Sequence, residues 1–462
     1  MVARLADSEL YAHLWGTEEM RAIFDERARL QSWLDVLVAL ARAQAELGII
    51  PGGSAQAIAE AAHIEKIDLA YAAAETRATS HSTLGFIRAF QHVLPESARE
   101  HVYFGVTVQD VTDTWTVLAV RRVGAVVWRD LRAIENRLLD LAARHRDSVM
   151  VGRTHGQPGA PITFGFKAAS WADETRRHLD RLRLGQDRWL VGQLGGSVGS
   201  LGFFGQDGVA LRRAFCRQLG LADPVISWLT SRDRLVEVVQ LLAMITGTLA
   251  RIGDEVYELQ RPEIGELREP STDAAVGSIT MPHKRNPERS EHLDTLARLV
   301  RANAGAVVEA MVQQHERDGR GWKTEWVALP EVCLLTGAAL RFAIDLVSGP
   351  EVDVEQMAAN VAAQSAFINS ERVLAVLSTH LGKHRTQALM HAALAPGGPA
   401  PREVIAALAS VGTSAGVDPD LLARLDAERA VIEPPPAVVA MVDEVVRRGR
   451  AARPQESDSW PT

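Results

Sequence analysis

Residues 277–291 read Gly277-Ser-Ile-Thr-Met-Pro-His-Lys-Arg-Asn-Pro-Glu-Arg-Ser-Glu291. Pro282 and Pro287 interrupt any helix, because each lacks an N–H and restricts the residue before it. A helix-like apolar pattern precedes the stretch and resumes near His292. A polar loop between two long helical segments is a common home for function. The chemistry it offers is carboxylate handling. Lys284 and Asn286 could hold an anion and the charge that builds on it. Ser278 could remove a proton with cations and backbone amides close by. The same composition also reads as a solvated basic surface loop.

Helical spacing extends outward from this loop. Residues 231–262, 288–318 and 324–348 read as long helices, as do 110–146 and 164–190. In the 110–146 segment Val111, Trp115, Leu118, Val127, Leu131, Ile134, Leu138 and Leu141 recur at three- and four-residue steps. Five long helices point to a central bundle. A helix of about 32 residues runs close to 50 Å, and wide apolar faces of that length call for partners beyond one chain. Nearer the start, Leu30, Leu34, Leu37, Ala41 and Ala45 share one face of a helix within 15–50, ended by Gly48 and Pro51-Gly52-Gly53.

Between the helices lie several polar segments. Glu75-Thr-Arg-Ala-Thr-Ser-His81 ends in an imidazole that reads as a helix-surface or cap residue. In residues 101–115, Asp110 or Thr112 is placed to cap the helix that follows. Prolines and glycines make 151–163 a loop. Residues 192–208 are Gly-rich but follow no strand, so a nucleotide-binding reading is weak. Arg317 reads either as a cation for a carboxylate or as a solvated surface arginine. A Pro/Gly-rich break falls at 396–401, and the polar tail from Pro454 to Thr462 reads as frayed.

With 462 residues the chain is long enough for two or three domains. Its 47% hydrophobic and 23% charged residues are ordinary for a globular protein, and a net charge of −8 with interspersed signs gives no basic nucleic-acid-binding surface. Cys216 and Cys333 suit a reducing cytosol as buried small hydrophobes. No Cys-x-x-Cys pair or His/Cys cluster points to a metal, and no cofactor is expected. The N-terminus has no apolar signal-peptide core, and no run of about 18 apolar residues predicts a membrane span. A cytoplasmic protein is expected.

Three separated motifs resemble the fumarase/aspartase superfamily, over roughly residues 15–450. Residues 277–287 are similar to its GSSxMPxKxNP loop, with Ile279 where the second Ser is usual. Val151-Gly-Arg-Thr-His-Gly-Gln-Pro-Gly-Ala-Pro-Ile-Thr163 is close to GRTHxQxAxPxTFG. Residues 105–114 resemble (G)xTSxD(V/I)xDT, with Val108 replacing the Ser. Trp228-Leu-Thr-Ser-Arg-Asp-Arg234 and His315-Glu-Arg-Asp-Gly-Arg-Gly-Trp-Lys-Thr-Glu-Trp326 are similar to stretches of bacterial 3-carboxymuconate cycloisomerases. Those enzymes typically carry Trp where His155 stands. Lys383-His-Arg-Thr-Gln387 resembles the superfamily's C-terminal GRxxAH region.

The resemblance implies an all-α chain of three domains, at 1–105, 106–348 and 349–462, and a homotetramer around a twenty-helix core. It implies Ser278 as catalytic base and Lys284 and Asn286 as stabilisers of the intermediate. His155, oriented by Glu291, or His81 would assist the leaving group. Thr107, Gln109, Asp110, Thr154 and Arg317 would hold a small dicarboxylate substrate, in sites shared by three subunits. The reaction expected is anti β-elimination from a substituted succinate, with an amine or nitrite leaving and fumarate formed. A cycloisomerase of muconate-type acids and a catalytically silent structural relative stand as alternatives.

Overall fold

Asp25 accepts the N–H groups of Arg27 and Ala28 and so opens helix α1 (Glu26–Glu46). The computed structural model describes residues 4–271, 276–364, 368, 370–394, 418, 420, 433–457 and 459–460. The predicted 396–401 break lies outside them. Leu34, Leu37 and Ala41 of α1 are buried, and Leu30 and Ala45 pack beside them in an N-terminal core that includes Phe86 and Phe90. Residues 194–216 contribute Leu194, Phe204, Leu211 and Phe215 to that same core, although the sequence places them in the central segment.

Five long helices follow: α2 (Val108–Arg144), α3 (Phe164–Trp189), α4 (Asp233–Gln260), α5 (Glu288–Glu309) and α6 (Gly319–Ser348). Helix α5 packs on α4 and α6, α2 on α3 and α6, and α4 on α3 and α6. Their common core holds Trp128, Leu138, Phe164, Ile245, Leu293 and Leu340. The sequence boundaries err mainly at two ends. Helix α5 stops at Glu309 rather than 318, and α6 starts at Gly319 because Asp318 accepts the Arg320 N–H as its cap. Helices α4 and α6 are long and apolar enough to cross a membrane (mean hydropathy 1.6 and 1.7), which the sequence reading did not anticipate. Both pack as core helices, with 67% of each apolar window buried. Cys216 and Cys333 are free and buried, and burial pushes both thiols up to about 12.

The all-α expectation needs one correction. Residues 149–163 are a hairpin of strands β1 (Val149–Thr154) and β2 (Gln157–Thr163), paired Thr154↔Gln157 and Val149↔Thr163. Its turn is His155-Gly156, at φ 53° and 74°, and two consecutive left-handed residues are what a two-residue hairpin turn requires. A two-residue bridge, β3 (Leu267–Arg268) with β4 (Glu351–Val352), closes the same end of the bundle.

The tail is also corrected. Helix α7 (Pro436–Ala452) packs on α3 and α2. Beyond it, the Ser457 carbonyl accepts from Arg132 (3.0 Å) and Trp128 (3.4 Å), and Trp460 is only 2% exposed. Its indole lies on Gly124, where any Cβ would collide with it. We expect Trp460→Ala to cost about 3 kcal/mol, read as a lower urea midpoint at unchanged slope. An unchanged midpoint would show the strap to be passive.

Where α2, α4 and α6 meet, Arg232 is 1% exposed. It donates to Asp113 (2.7 and 3.1 Å) and to Glu325 (2.9 and 2.5 Å). Burial pulls the guanidinium down, but the two carboxylates outweigh it and hold Arg232 protonated. Removing one member of such a set strands the others without water. Arg232→Met should therefore cost about 3–5 kcal/mol, while adding Asp113→Asn and Glu325→Gln to it should recover part of that loss. A fully stable single variant would contradict this.

Candidate active site

At the N-terminal end of α2, Thr107 and Asp110 form a reciprocal cap. Thr107 supplies the hydroxyl to the helix, and its own N–H donates to Asp110 Oδ2 (2.9 Å). The expected cap, Asp110 or Thr112, is thus one residue pair with Thr107 at its head. Asp110 is buried and also accepts from Gly195 N–H (2.7 Å) and Gly196 N–H (3.0 Å). Burial pushes its carboxyl up to about 7, against the pull of these three backbone donors. Gln109 Nε2 donates to Leu229 O (2.7 Å) and Asp113 Oδ2 (3.0 Å). The resemblance implied that both side chains hold substrate. Within the chain their hydrogen bonds tie α2 to the Gly-rich turn and to the Arg232 cluster.

Thr107 Oγ1 accepts from Arg317 Nη1 at 2.5 Å, so two residues 210 apart in sequence meet. The Arg317 guanidinium lies 5.7 Å from the Trp322 ring centroid, and Trp322 Nε1 donates to Asp113 (3.0 Å). Tyr103, at φ 60°, also bonds Thr107, and burial raises its phenol. A half-buried guanidinium beside an indole and a hydroxyl has the donors to receive a planar anion. His81 is exposed. Its Nδ1 accepts from Leu84 N–H (3.1 Å) and Thr83 N–H (3.4 Å) at the start of the helix Leu84–Val93, a capping position.

The opposite end of the bundle carries the other candidates. Thr154 and His155 are exposed at the hairpin tip. The hairpin is fixed by Arg153, which pairs through both nitrogens with buried Glu266 at 2.8 Å, and Glu266 accepts in turn from Asn360 (2.8 Å). The signature loop is anchored nearby. Glu269 Oε1 accepts from Ser290 N–H and Oγ, both at 2.7 Å, and Oε2 from Arg289 N–H at 3.1 Å. A carboxylate on the orphan N–H groups of α5 satisfies them and complements the helix dipole. Gly277 lies so close to the Lys284 carbonyl that a Cβ would collide with it. Ser278 Oγ accepts from Met281 N–H (3.1 Å), Lys284 is exposed and Asn286 is half-buried. Glu291 is exposed in the first turn of α5, and no hydrogen bond or ion pair joins it to His155 within the chain.

The predicted residues thus divide between two ends. Arg317 meets Thr107, while Ser278, Lys284, Asn286, Glu291, Thr154 and His155 sit on loops at the other end. Helix α2 has 37 residues and spans about 55 Å; α5 has 22 and spans about 33 Å. One chain therefore does not bring both ends onto one small molecule. Sequence reasoning missed Asp113, Arg232, Glu325, Glu266 and Glu269, which position the others. The only signal for them was their place inside the 105–114, 228–234 and 315–326 motifs or before and beside the signature loop.

Comparison with known proteins gives the same frame. A lyase family model matches residues 15–302. An N-acetyl-S-(2-succino)cysteine lyase of Dickeya dadantii is 40% identical over 391 residues, 85% of this chain and 86% of that one. A 3-carboxy-cis,cis-muconate cycloisomerase of Acinetobacter baylyi is 36% identical, covering 84% and 87%. The crystal structure of a 3-carboxy-cis,cis-muconate lactonizing enzyme from Pseudomonas putida superposes with a TM-score of 0.84 at 33% identity, covering 96% of this chain and 99% of that one. The chain is a lyase of the fumarase/aspartase superfamily, in the branch that holds succinyl lyases, carboxymuconate cycloisomerases and adenylosuccinate lyases.

Proposed function

We propose that the chain catalyses anti β-elimination from a 2-substituted succinate, releasing fumarate, at sites assembled from several copies of itself. The observation that carries this is the division of the candidate residues between bundle ends. A carboxylate receptor (Arg317, Thr107) lies at one end and proton-transfer groups (Ser278, His155) at the other. Only neighbouring copies packed antiparallel would join them. Exposed apolar residues on the bundle helices support such packing: Leu184 on α3, Met244 on α4, Leu299 on α5 and Val327 on α6. So does Ile279, 94% exposed in the signature loop. A homotetramer with each site shared by three subunits fits this arrangement.

In this reading Arg317, Thr107 and Thr154 of different copies hold the two carboxylates. Ser278 Oγ takes the proton next to one of them. Charge then builds on that carboxylate as a dianionic aci-acid, and Lys284 and the Asn286 amide stabilise it more strongly than the ground state. The electron pair expels the β-substituent. His155, its tautomer set by Glu291, protonates the leaving atom, with His81 the alternative donor. Gln109 and Asp110 position Thr107 rather than touch substrate. The leaving atom expected from sequence was nitrogen. The Dickeya relative's name, an S-succino compound, extends the choice to sulfur.

The cycloisomerase reading keeps one observation in its favour: Trp228, Trp322 and Trp326 lie in the motifs shared with that branch. His155 at the hairpin tip speaks against it. Incubation with N- and S-(2-succino) compounds, nitrosuccinate and 3-carboxymuconate separates them. Fumarate from any succinate supports elimination, and loss of the muconate diene alone overturns it.

Ser278→Ala should lower fumarate formation about a thousandfold without changing oligomer mass or melting temperature. Retained activity would remove Ser278 as base. Arg317→Gln should likewise be nearly inactive. Co-refolding the two inactive variants should restore part of the activity, because some sites then combine intact ends from different copies. No restoration would mean that the two ends do not serve one site.

A further inference from the structure

At the Thr107 end the surface carries apolar side chains that the chain itself leaves uncovered. Val225 is 99% exposed and Ile226 76%, and Val198 and Phe203 of the Gly-rich segment are exposed as well. The two segments pack on each other. A Cβ at Gly195 or Gly199 would meet Ser227 Oγ (2.6 and 2.9 Å), Gln193 Nε2 donates to that hydroxyl (3.1 Å), and Gln193 Oε1 accepts from Trp228 N–H (3.1 Å). Residues 225–228 are thereby held on the turn whose Gly195 and Gly196 amides serve Asp110. Phe203 lies against Phe104, with ring centroids 4.9 Å apart, and against Gly105, where a Cβ would collide with its ring. Gly105 is two residues from Thr107, so the patch borders the carboxylate receptor. Neighbouring exposed apolar side chains of this kind mark an interaction surface.

The other end of the bundle supplies a matching element. In the signature loop Val276, Ile279 and Met281 are all exposed, and Ile279 directly follows Ser278. Successive Cα atoms are about 3.8 Å apart, so wherever Ser278 goes in an assembly, Ile279 goes with it. A site that combines Ser278 of one copy with Thr107 and Arg317 of another therefore sets Ile279 down close to Thr107, and the apolar surface there is the patch. Charge suits the same pairing. His283 and Lys284 follow Ile279 in the loop, while Asp207, four residues past Phe203, and Glu316, next to Arg317, are exposed at the receptor end.

We infer that Val198, Phe203, Val225 and Ile226 form the seat for Ile279 of a second copy, and that this contact holds Ser278 over the Arg317–Thr107 receptor. The inference rests on the shared-site reading above and goes beyond it by naming the surface on which the loop closes. A hydroxyl at position 279 would gain nothing from such a surface, whereas an isoleucine exchanges water for apolar neighbours. Closure then depends on the neighbouring copy, because a single chain carries loop and seat at opposite ends of its bundle.

The test uses the full-length protein, whose own cysteines are both buried. Ile279→Cys and Ile226→Cys are placed in one chain, and the protein is oxidised or bridged with a short bismaleimide. Covalent dimers and larger species are expected on denaturing gels, with none from either single variant. No bridging, bridging only within a chain, or bridging by Ile279→Cys alone would each overturn the seat. So would bridging only when Val312→Cys, another exposed apolar position near Arg317, replaces Ile226→Cys. Ile279→Ser and Ile226→Ser should each lower kcat/KM for a 2-substituted succinate roughly tenfold, and the double variant should lose little more than either, since both remove one contact. Circular dichroism melting checks that the variants fold. Unchanged kcat/KM in both folded single variants, or losses that multiply in full, would overturn the contact. Bridging is read without turnover, so the two proposals fail separately. Fumarate formed with no bridging overturns the seat and leaves elimination standing, whereas bridging with no fumarate from any 2-substituted succinate overturns elimination and leaves the seat.

Discussion

A guanidinium with no access to water has to be matched by groups from the fold itself, and Arg232 is matched from two helices at once. Asp113 on α2 and Glu325 on α6 each accept two of its N–H groups, and Arg232 itself immediately precedes α4. Apolar residues of similar volume often stabilise a core as well or better than such a set, so stability is a poor account of why it is there. Its neighbours give a better one. Asp113 also accepts from Gln109 and Trp322, and Trp322 supports Arg317. The buried charges fix the register of three helices, and that register fixes the place of the half-buried Arg317.

The two ends of the bundle differ in kind. At the Thr107 end Thr107, Gln109, Asp110 and Arg317 are buried or half-buried and tied to one another or to neighbouring segments, with His81 exposed. Asp110 alone takes three backbone donors. At the Ser278 end they stand on a loop and a hairpin tip, and only their bases are pinned, by Glu269 and Glu266. Binding a dicarboxylate benefits from a preorganised receptor, whereas sequestering the proton-transfer step benefits from an element able to close over it. A helix of about 55 Å keeps these requirements apart within one copy.

Much of this was legible in the sequence because it rests on local rules. The five helices announce themselves by apolar spacing, and Pro282 and Pro287 mark the loop between two of them. The hairpin was not legible. Pro158, Pro161 and three glycines (Gly152, Gly156, Gly159) argue against a strand, and only the pairing of residues across a His155-Gly156 turn reveals one. Position 155 reads in sequence as a motif histidine, and nothing local says that it must also adopt φ 53°. The tail was misread for a similar reason. Trp460 looks like a polar terminus's stray aromatic until Gly124, 336 positions earlier, is seen to lack the Cβ that would displace it. The Thr107–Arg317 contact is of the same type, since sequence offered both residues and no means of joining them.

The departures from the superfamily's motifs gain a physical sense from these contacts. Val108 stands where a Ser is usual and is buried, so at that position the chain offers packing and no hydroxyl. The neighbouring polar work is taken by Arg317, brought in from between α5 and α6 onto Thr107. Ile279 makes the opposite exchange. It replaces a hydroxyl in a loop that also carries Ser278, Thr280, His283, Lys284, Arg285 and Asn286, and it lies almost fully in solvent in a single copy. An isoleucine so placed gains only if another surface covers it, at about 25 cal/mol per Å2 of apolar area buried. A loop that gains from being covered is biased toward a closed arrangement, and under the proposed elimination that arrangement would bring Ser278 to its substrate.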